Sequence, residues 1–183
     1  QAIGNKALCV NTTGDCNTAI GRLALRNNTT ANQNVAVGQE SLCANTTAVE
    51  NVAVGVFALK ANTTGCRNTA LGFEAGKLTT TGVENTFIGR RAGCQHTTGD
   101  NNTAVGSFAY TAQASGSDNV LVGKSAGDVI TTGSCNTAIG KDAGDTTTTG
   151  SNNIMIGLGS ASSSATVSHE ITLGNGSNNN LRC

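Results

Sequence analysis

The seven cysteines and two histidines are the side chains best suited to chemistry, and their spacing decides what they could do. A structural zinc site takes four Cys or His ligands, usually as closely spaced pairs. No C-x-x-C pair occurs, and Cys94-Gln95-His96 is an isolated partial match, so no metal site is expected. Gly123-Lys124-Ser125 has the ending of a phosphate-binding loop, yet Asp118 stands where that motif requires its first glycine. His96 and His169 share no repeating relation with any serine and carboxylate, which leaves a hydrolytic triad without support. No catalytic, cofactor-binding or metal-binding residue is named, and the expectation is a protein that is not an enzyme and takes no cofactor. Glycosylation sequons begin at Asn11, Asn27, Asn28, Asn45, Asn62, Asn101 and Asn175, and they read as by-products of a repeat.

That repeat is what must position any functional residue. The pentapeptide NTAIG at residues 17–21 recurs at 136–140, and variants such as NVAVG, NTALG and NTFIG lie between. Their final glycines are Gly4, Gly21, Gly38, Gly55, Gly72, Gly89, Gly106, Gly123, Gly140, Gly157 and Gly174, always seventeen residues apart. A short fixed period signals stacked supersecondary units. Each unit divides into the NTAIG piece, a brief Ala-Leu or Ala-Gly piece (Ala24-Leu25, Ala75-Gly76) and an Asn-Thr-Thr-Gly piece (Asn62 to Gly65). The predicted fold is all-β: a parallel β-solenoid of 17-residue coils, one repeat domain over residues 1–183. At about 4.8 Å per coil the rod is roughly 50 Å long. Gln1 enters the repeat part-way and Cys183 leaves it part-way, so a segment of a longer chain is expected.

The columns assign faces. Eleven basic and eleven acidic residues balance, which speaks against a nucleic-acid partner. No apolar run is long enough for membrane insertion, and no charged-then-apolar leader opens the chain. Apart from Glu170 and Arg182, every charge falls one, two, five, eleven or twelve places after a repeat glycine, and these are read as solvated corners. The glycine corner suggests a positive φ. An unbroken amide column, Asn17, Asn34, Asn51, Asn68, Asn85, Asn102, Asn119, Asn136 and Asn153, predicts an axial hydrogen-bonded ladder. Columns immediately before the glycine (Ile20, Val37, Val54) and three before it (Thr18, Val35, Val52) are taken as the core. The column between them, Ala2, Ala19, Ala36, Ala53, Ala70, Phe87, Ala104, Leu121, Ala138 and Met155, is uncharged and is expected to face outward. A strand apolar on both faces is covered on both, so this column is predicted to be the interface of a homotrimer. Where Leu8, Leu25, Leu42 and Leu59 give way to Gly76, Gly93, Gly127 and Gly144, Leu78 and Val129 are expected to refill the core.

Cys9, Cys43 and Cys94 share one column, Cys16 and Cys135 another, always at least two coils apart. Coils so separated lie about 9 to 10 Å apart, beyond disulfide reach. Free thiols follow, as suits a chain made in a reducing cytosol.

NTAIG units joined by A-L/G-x-x-N-T-T-G spacers, with Glu170 to Asn175 and Leu181-Arg182-Cys183 at the end, resemble the repetitive shafts of tail-fibre proteins from tailed phages and aquatic viruses. The NTAIG core is also similar to head repeats of trimeric autotransporter adhesins. The resemblance implies a trimeric β-roll or β-helix, left-handed in the adhesin heads, and a virion tail fibre that attaches to a host. A host cell-surface receptor or glycan would then be a partner, with Arg22, Phe57, Phe73, Arg90, Arg91, Phe108 and Lys124 as candidate contacts. Two other readings stand beside this one. An ice-binding solenoid would use the Thr13 to Thr166 column, although only one threonine rank can face outward; a bacterial surface adhesin would need export and an anchor.

Overall fold

The computed structural model describes residues 1–112 and 114–177; Gln113 and the Leu181-Arg182-Cys183 ending lie outside the described residues. Each NTAIG-type piece forms one short strand, because β-branched residues at alternate positions favour extended backbone. The strands are β1 (Ala2–Ile3), β2 (Thr18–Ile20), β3 (Val35–Val37), β4 (Val52–Val54), β5 (Thr69–Leu71), β6 (Thr86–Ile88), β7 (Thr103–Val105), β8 (Val120–Val122), β9 (Thr137–Ile139), β10 (Ile154–Ile156) and β11 (Ile171–Leu173). They make one eleven-stranded parallel sheet in chain order, with each residue opposite its repeat equivalent, as Thr69 is opposite Thr86. The chain is a β-solenoid. Its other two sides are bends and turns, yet their backbones still bond coil to coil: Leu25 N–H donates to Ser41 O at 3.0 Å and Thr12 N–H to Thr29 O at 2.9 Å.

The repeat glycine does have the expected positive φ. At Gly21 φ is 131°, and a Cβ there would lie 2.5 Å from the Gly38 carbonyl oxygen of the next coil. Three further places per coil take left-handed backbone mostly without glycine, as at Leu23 (φ 62°), Leu25 (φ 48°) and Gln33 (φ 60°). Such residues cost roughly 1–2 kcal/mol each. Nothing in their side chains announced it.

The asparagine ladder is present. Asn34 donates its backbone N–H (3.0 Å) and Nδ2 (3.3 Å) to Asn17 Oδ1, and Nδ2 also to Ala48 O at 2.9 Å. The same arrangement climbs the column until Glu170 N–H caps Asn153 Oδ1 at 3.0 Å. A second, unforeseen ladder is buried alongside the first, where Asn28, Asn45 and Asn62 each donate Nδ2 to the preceding Oδ1 at 2.8, 3.0 and 3.2 Å. Thr79 interrupts it, and the buried Asn62 Oδ1 is left without a partner.

The two faces of the strand are the reverse of those expected. Ala19, Ala36, Ala53, Ala70, Phe87, Ala104, Leu121, Ala138 and Met155 point into the coil and are buried; Ala2 heads the same column at the first coil and is exposed. A column enclosed by its own chain is not an interface. The columns taken as core, Thr18 and Ile20 with their equivalents, turn outward. The reason is space. Leu25, Leu42 and Leu59 fill the narrow interior beside Ala, and a second branched side chain would not fit.

The same limit explains the glycine coils. A Cβ on Gly93 would strike the Phe87 ring; one on Gly76 would sit 2.8 Å from that ring and 2.9 Å from Leu59 Cδ2, and one on Gly127 2.7 Å from Leu121 Cδ2. Leucine loss is therefore balanced by Phe87, Leu121, Ile130 and Met155, all buried. Leu78, by contrast, is 43% exposed and Val129 half-buried, so neither refills the core.

Thr79→Asn should extend the inner ladder and give Asn62 Oδ1 a donor. An unsatisfied buried acceptor costs about 1–3 kcal/mol, so stability should rise by about 1 kcal/mol after strain at His96. Thermal denaturation followed by circular dichroism checks the sign.

Candidate interaction surfaces

Two surfaces stand out, and both border the sheet. The first is its outer face, built from the residues on either side of the inward alanine. Thr18, Ile20, Val35 and Val37 are half-buried there, while exposure reaches 37% at Val52, 48% at Leu71 and 67% at Ile171. No charged residue occurs in these columns. At about 4.8 Å per strand and two ranks wide, the face covers roughly 500 Å². That is an uncharged area of the size of the largest apolar patch of a typical monomer, although threonines at Thr18, Thr69, Thr86, Thr103 and Thr137 share it with the aliphatic side chains.

The second surface is the corner just after the strand. Glu40 binds Lys60 at 2.8 Å and Arg22 at 3.1 Å. Glu74, 9% exposed, binds Lys77 at 2.6 Å and Arg91 at 2.9 Å. Glu74 is thus buried, where a solvated corner was expected. Lys60 first, and Arg22 with it, hold the Glu40 carboxyl below its ordinary range; Lys77, then Arg91, do the same for Glu74. Lys60 Nζ lies 4.9 Å from the Phe57 ring centre, Phe57 meets Phe73 edge-on at 6.3 Å, and the Arg90 guanidinium lies 4.8 Å from Phe108. The structure therefore brings Arg22, Phe57, Phe73, Arg90, Arg91 and Phe108 into one strip, which Lys124 continues one coil further on. Exposed Val56, Phe73 and Leu158 extend the apolar face into it.

The strand is flanked on its other side by an ion pair of the opposite arrangement, Arg67 Nε to Glu84 Oε1 at 2.7 Å, half-exposed.

The threonine ranks divide as expected. Thr13, Thr30, Thr47, Thr64, Thr81, Thr98, Thr132, Thr149 and Thr166 are exposed. In the neighbouring rank the hydroxyls bond the next coil instead, as Thr63 Oγ1 does to Thr80 O at 3.2 Å. The Asn28 to Ile130 column is not their partner on the outside, because it points inward.

The chemically suggestive residues scatter. His96 lies inside the rod between Phe87 (ring centres 5.2 Å apart) and Tyr110 (5.6 Å), its nitrogens near Thr79 Oγ1 and Asn102 Nδ2. It is not aimed at Cys94 as a ligand pair would be. Cys9, Cys16, Cys43, Cys66, Cys94 and Cys135 are free thiols, and burial raises the pKa of Cys43 and Cys94, keeping them protonated. Gly123 is a repeat glycine with φ 142°, followed by a turn and not by a helix. Asn28, Asn45 and Asn62, each in a sequon, are buried with their amides engaged.

Comparison of the chain with protein-family models, with curated proteins and with solved structures finds no match.

Burial lowers His96 to a pKa of about 4. The unfolded chain, with an ordinary histidine near 6.5, binds a proton that the folded chain refuses. The histidine is accommodated at no cost above pH 6.5, and stability should fall by on the order of 3 kcal/mol as pH drops from about 6.5 to about 4. His96→Asn should flatten thermal stability across that window, read as melting temperature against pH.

Proposed function

We propose that this chain is a rigid shaft segment of a homotrimeric fibre, a structural and adhesive element of the viral tail-fibre kind that holds a host-binding end at a fixed distance. The observation that carries the reading is the uncharged face of aliphatic and threonine side chains that runs the length of the sheet. A single chain leaves it wet. Copies related by an axis parallel to the rod would cover it with an identical face, and the flanking corner would add area toward the roughly 800 Å² per partner of a stable interface. The left-handed winding implied by the resemblance belongs to this reading. The homotrimer therefore rests on the Ile20 and Thr18 columns, not on the enclosed alanines.

The seam placed there takes up the corner of Phe57, Phe73, Arg91 and Phe108. A host receptor or glycan would then meet the remaining circumference of the rod, where the exposed threonines and the Lys60 to Asp145 corner lie.

Sedimentation equilibrium should give a mass of about 55 kDa, three times the chain's 18.3 kDa. Ile88→Glu with Val105→Glu, which puts two carboxylates on the outer face of adjacent strands, should reduce it to one chain while leaving the circular dichroism spectrum intact. A wild-type chain that stays monomeric at high concentration defeats the proposal.

The exposed threonine rank favours one second reading, an ice-binding solenoid, because hydroxyls at the coil pitch present a regular lattice to water. Thermal hysteresis would reveal it. None is expected, since the rank has no second matching rank beside it.

A further inference from the structure

The corners on either side of the strand carry charges that pair along each side, as Arg67 with Glu84 and Arg91 with Glu74, and also form a pattern of signs across the strand. Because the ladder is in register, residues just before and just after one strand lie at the same level along the rod. At β2 the two sides carry Asp15 and Arg22; at β5, Arg67 and Glu74; at β6, Glu84 and the Arg90-Arg91 pair; at β8, Asp118 and Lys124. Wherever both sides of a level are charged, the signs are opposite, and the order of signs inverts between β5 and the levels around it. A three-residue strand and the bends at its two ends separate the members of each pair, and none of the ion pairs among the described residues joins the two sides of a strand.

We infer that neighbouring copies in the fibre lie parallel with no axial stagger, set in register by Arg67 and Glu84 of one chain against Glu74 and Arg91 of the next. This deepens the proposed trimer and rests on it. Rotation about the rod axis brings the corner before the strand of one copy to the corner after the strand of its neighbour, at equal height. The ion pairs Arg67–Glu84 and Glu74–Arg91 then face each other as a square in which every neighbour has the opposite sign. A slip of one coil either way sets Arg67 against Arg91 or Glu84 against Glu74. An antiparallel pair fails differently: it opposes the mainly basic corner (Arg22, Arg90, Arg91, Lys124, Lys141) to itself and the mainly acidic one (Asp15, Glu50, Glu84, Asp100, Asp118) to itself. Like charges face to face cost affinity, so the pattern selects one arrangement by penalising the others.

The test uses the whole chain. Swapping the half-exposed pair, Arg67→Glu with Glu84→Arg, keeps the ion pair within each molecule but opposes like charges between molecules. Assembly measured by sedimentation at low salt should weaken by roughly tenfold or more, and adding Glu74→Lys with Arg91→Glu should restore most of it. Unchanged melting of the separated chain would show that folding is intact. Carbodiimide, which joins a carboxylate to an amine in contact, should link Asp118 to Lys124 between chains. If wild-type chains form the trimer but the swap has no effect, these charges do not set the register while the trimer stands; links between Asp100 and Lys124 or between Asp118 and Lys141 would mean staggered copies, which no closed ring allows, and would overturn both. If wild-type chains never assemble, both fall.

Discussion

Everything in this molecule depends on successive coils being superimposable. The repeat glycine leaves room for the next coil's carbonyl oxygen only because it lacks a Cβ, and it adopts a φ that other residues avoid. Each Asn Oδ1 in the ladder before the strand accepts the backbone N–H one coil on, and most accept the next asparagine's Nδ2 as well. Both contacts tolerate only one spacing. An insertion of a single residue would break the ladder, misplace the glycine and turn the strand over at once, which accounts for a period held without exception from Gly4 to Gly174.

Within that frame the interior has room for only one or two large side chains per coil, and the sequence moves that bulk about. Leucine after the corner alanine serves the first coils; further along, glycine takes its place, and the bulk comes from the strand as Phe87, Leu121 and Met155. The exchange has a backbone benefit. The leucine position is left-handed, with φ 46° at Leu59, and glycine at the equivalent Gly76 (φ 58°) relieves that strain while vacating the volume the Phe87 ring occupies. Neighbouring coils share one bulky group, so their packing is coupled along the rod.

The period, the parallel sheet, the glycine conformation and the asparagine ladder before the strand could all be read in the residues, because each is a local demand repeated at one place. Which face of the strand turns inward could not. Thr18-Ala19-Ile20 is uncharged on both faces, and alternation separates two faces without saying which is wet. Bulk was a misleading guide, since the leucine that already occupies the interior is remote in sequence from the strand. The inner ladder was legible in principle from the column Asn11, Asn28, Asn45 and Asn62. The left-handed residues were not, because lysine, leucine, glutamate and phenylalanine all fill the same place.

A thin interior also explains why the outer face matters. Seventeen residues are ordered per coil around only one or two large side chains, so burial inside the chain supplies only a small part of what offsets the entropy of ordering. Axial hydrogen bonds supply another part, and they add with every coil without making the core any thicker. Lengthening the rod therefore does not improve the ratio of buried to exposed apolar surface, as it would in a globule. The only direction in which a solenoid of this width can gain burial is sideways. Its outer sheet face, uncharged from end to end and bordered by charges of opposite sign, is the one surface from which a second body covering it would gain that burial.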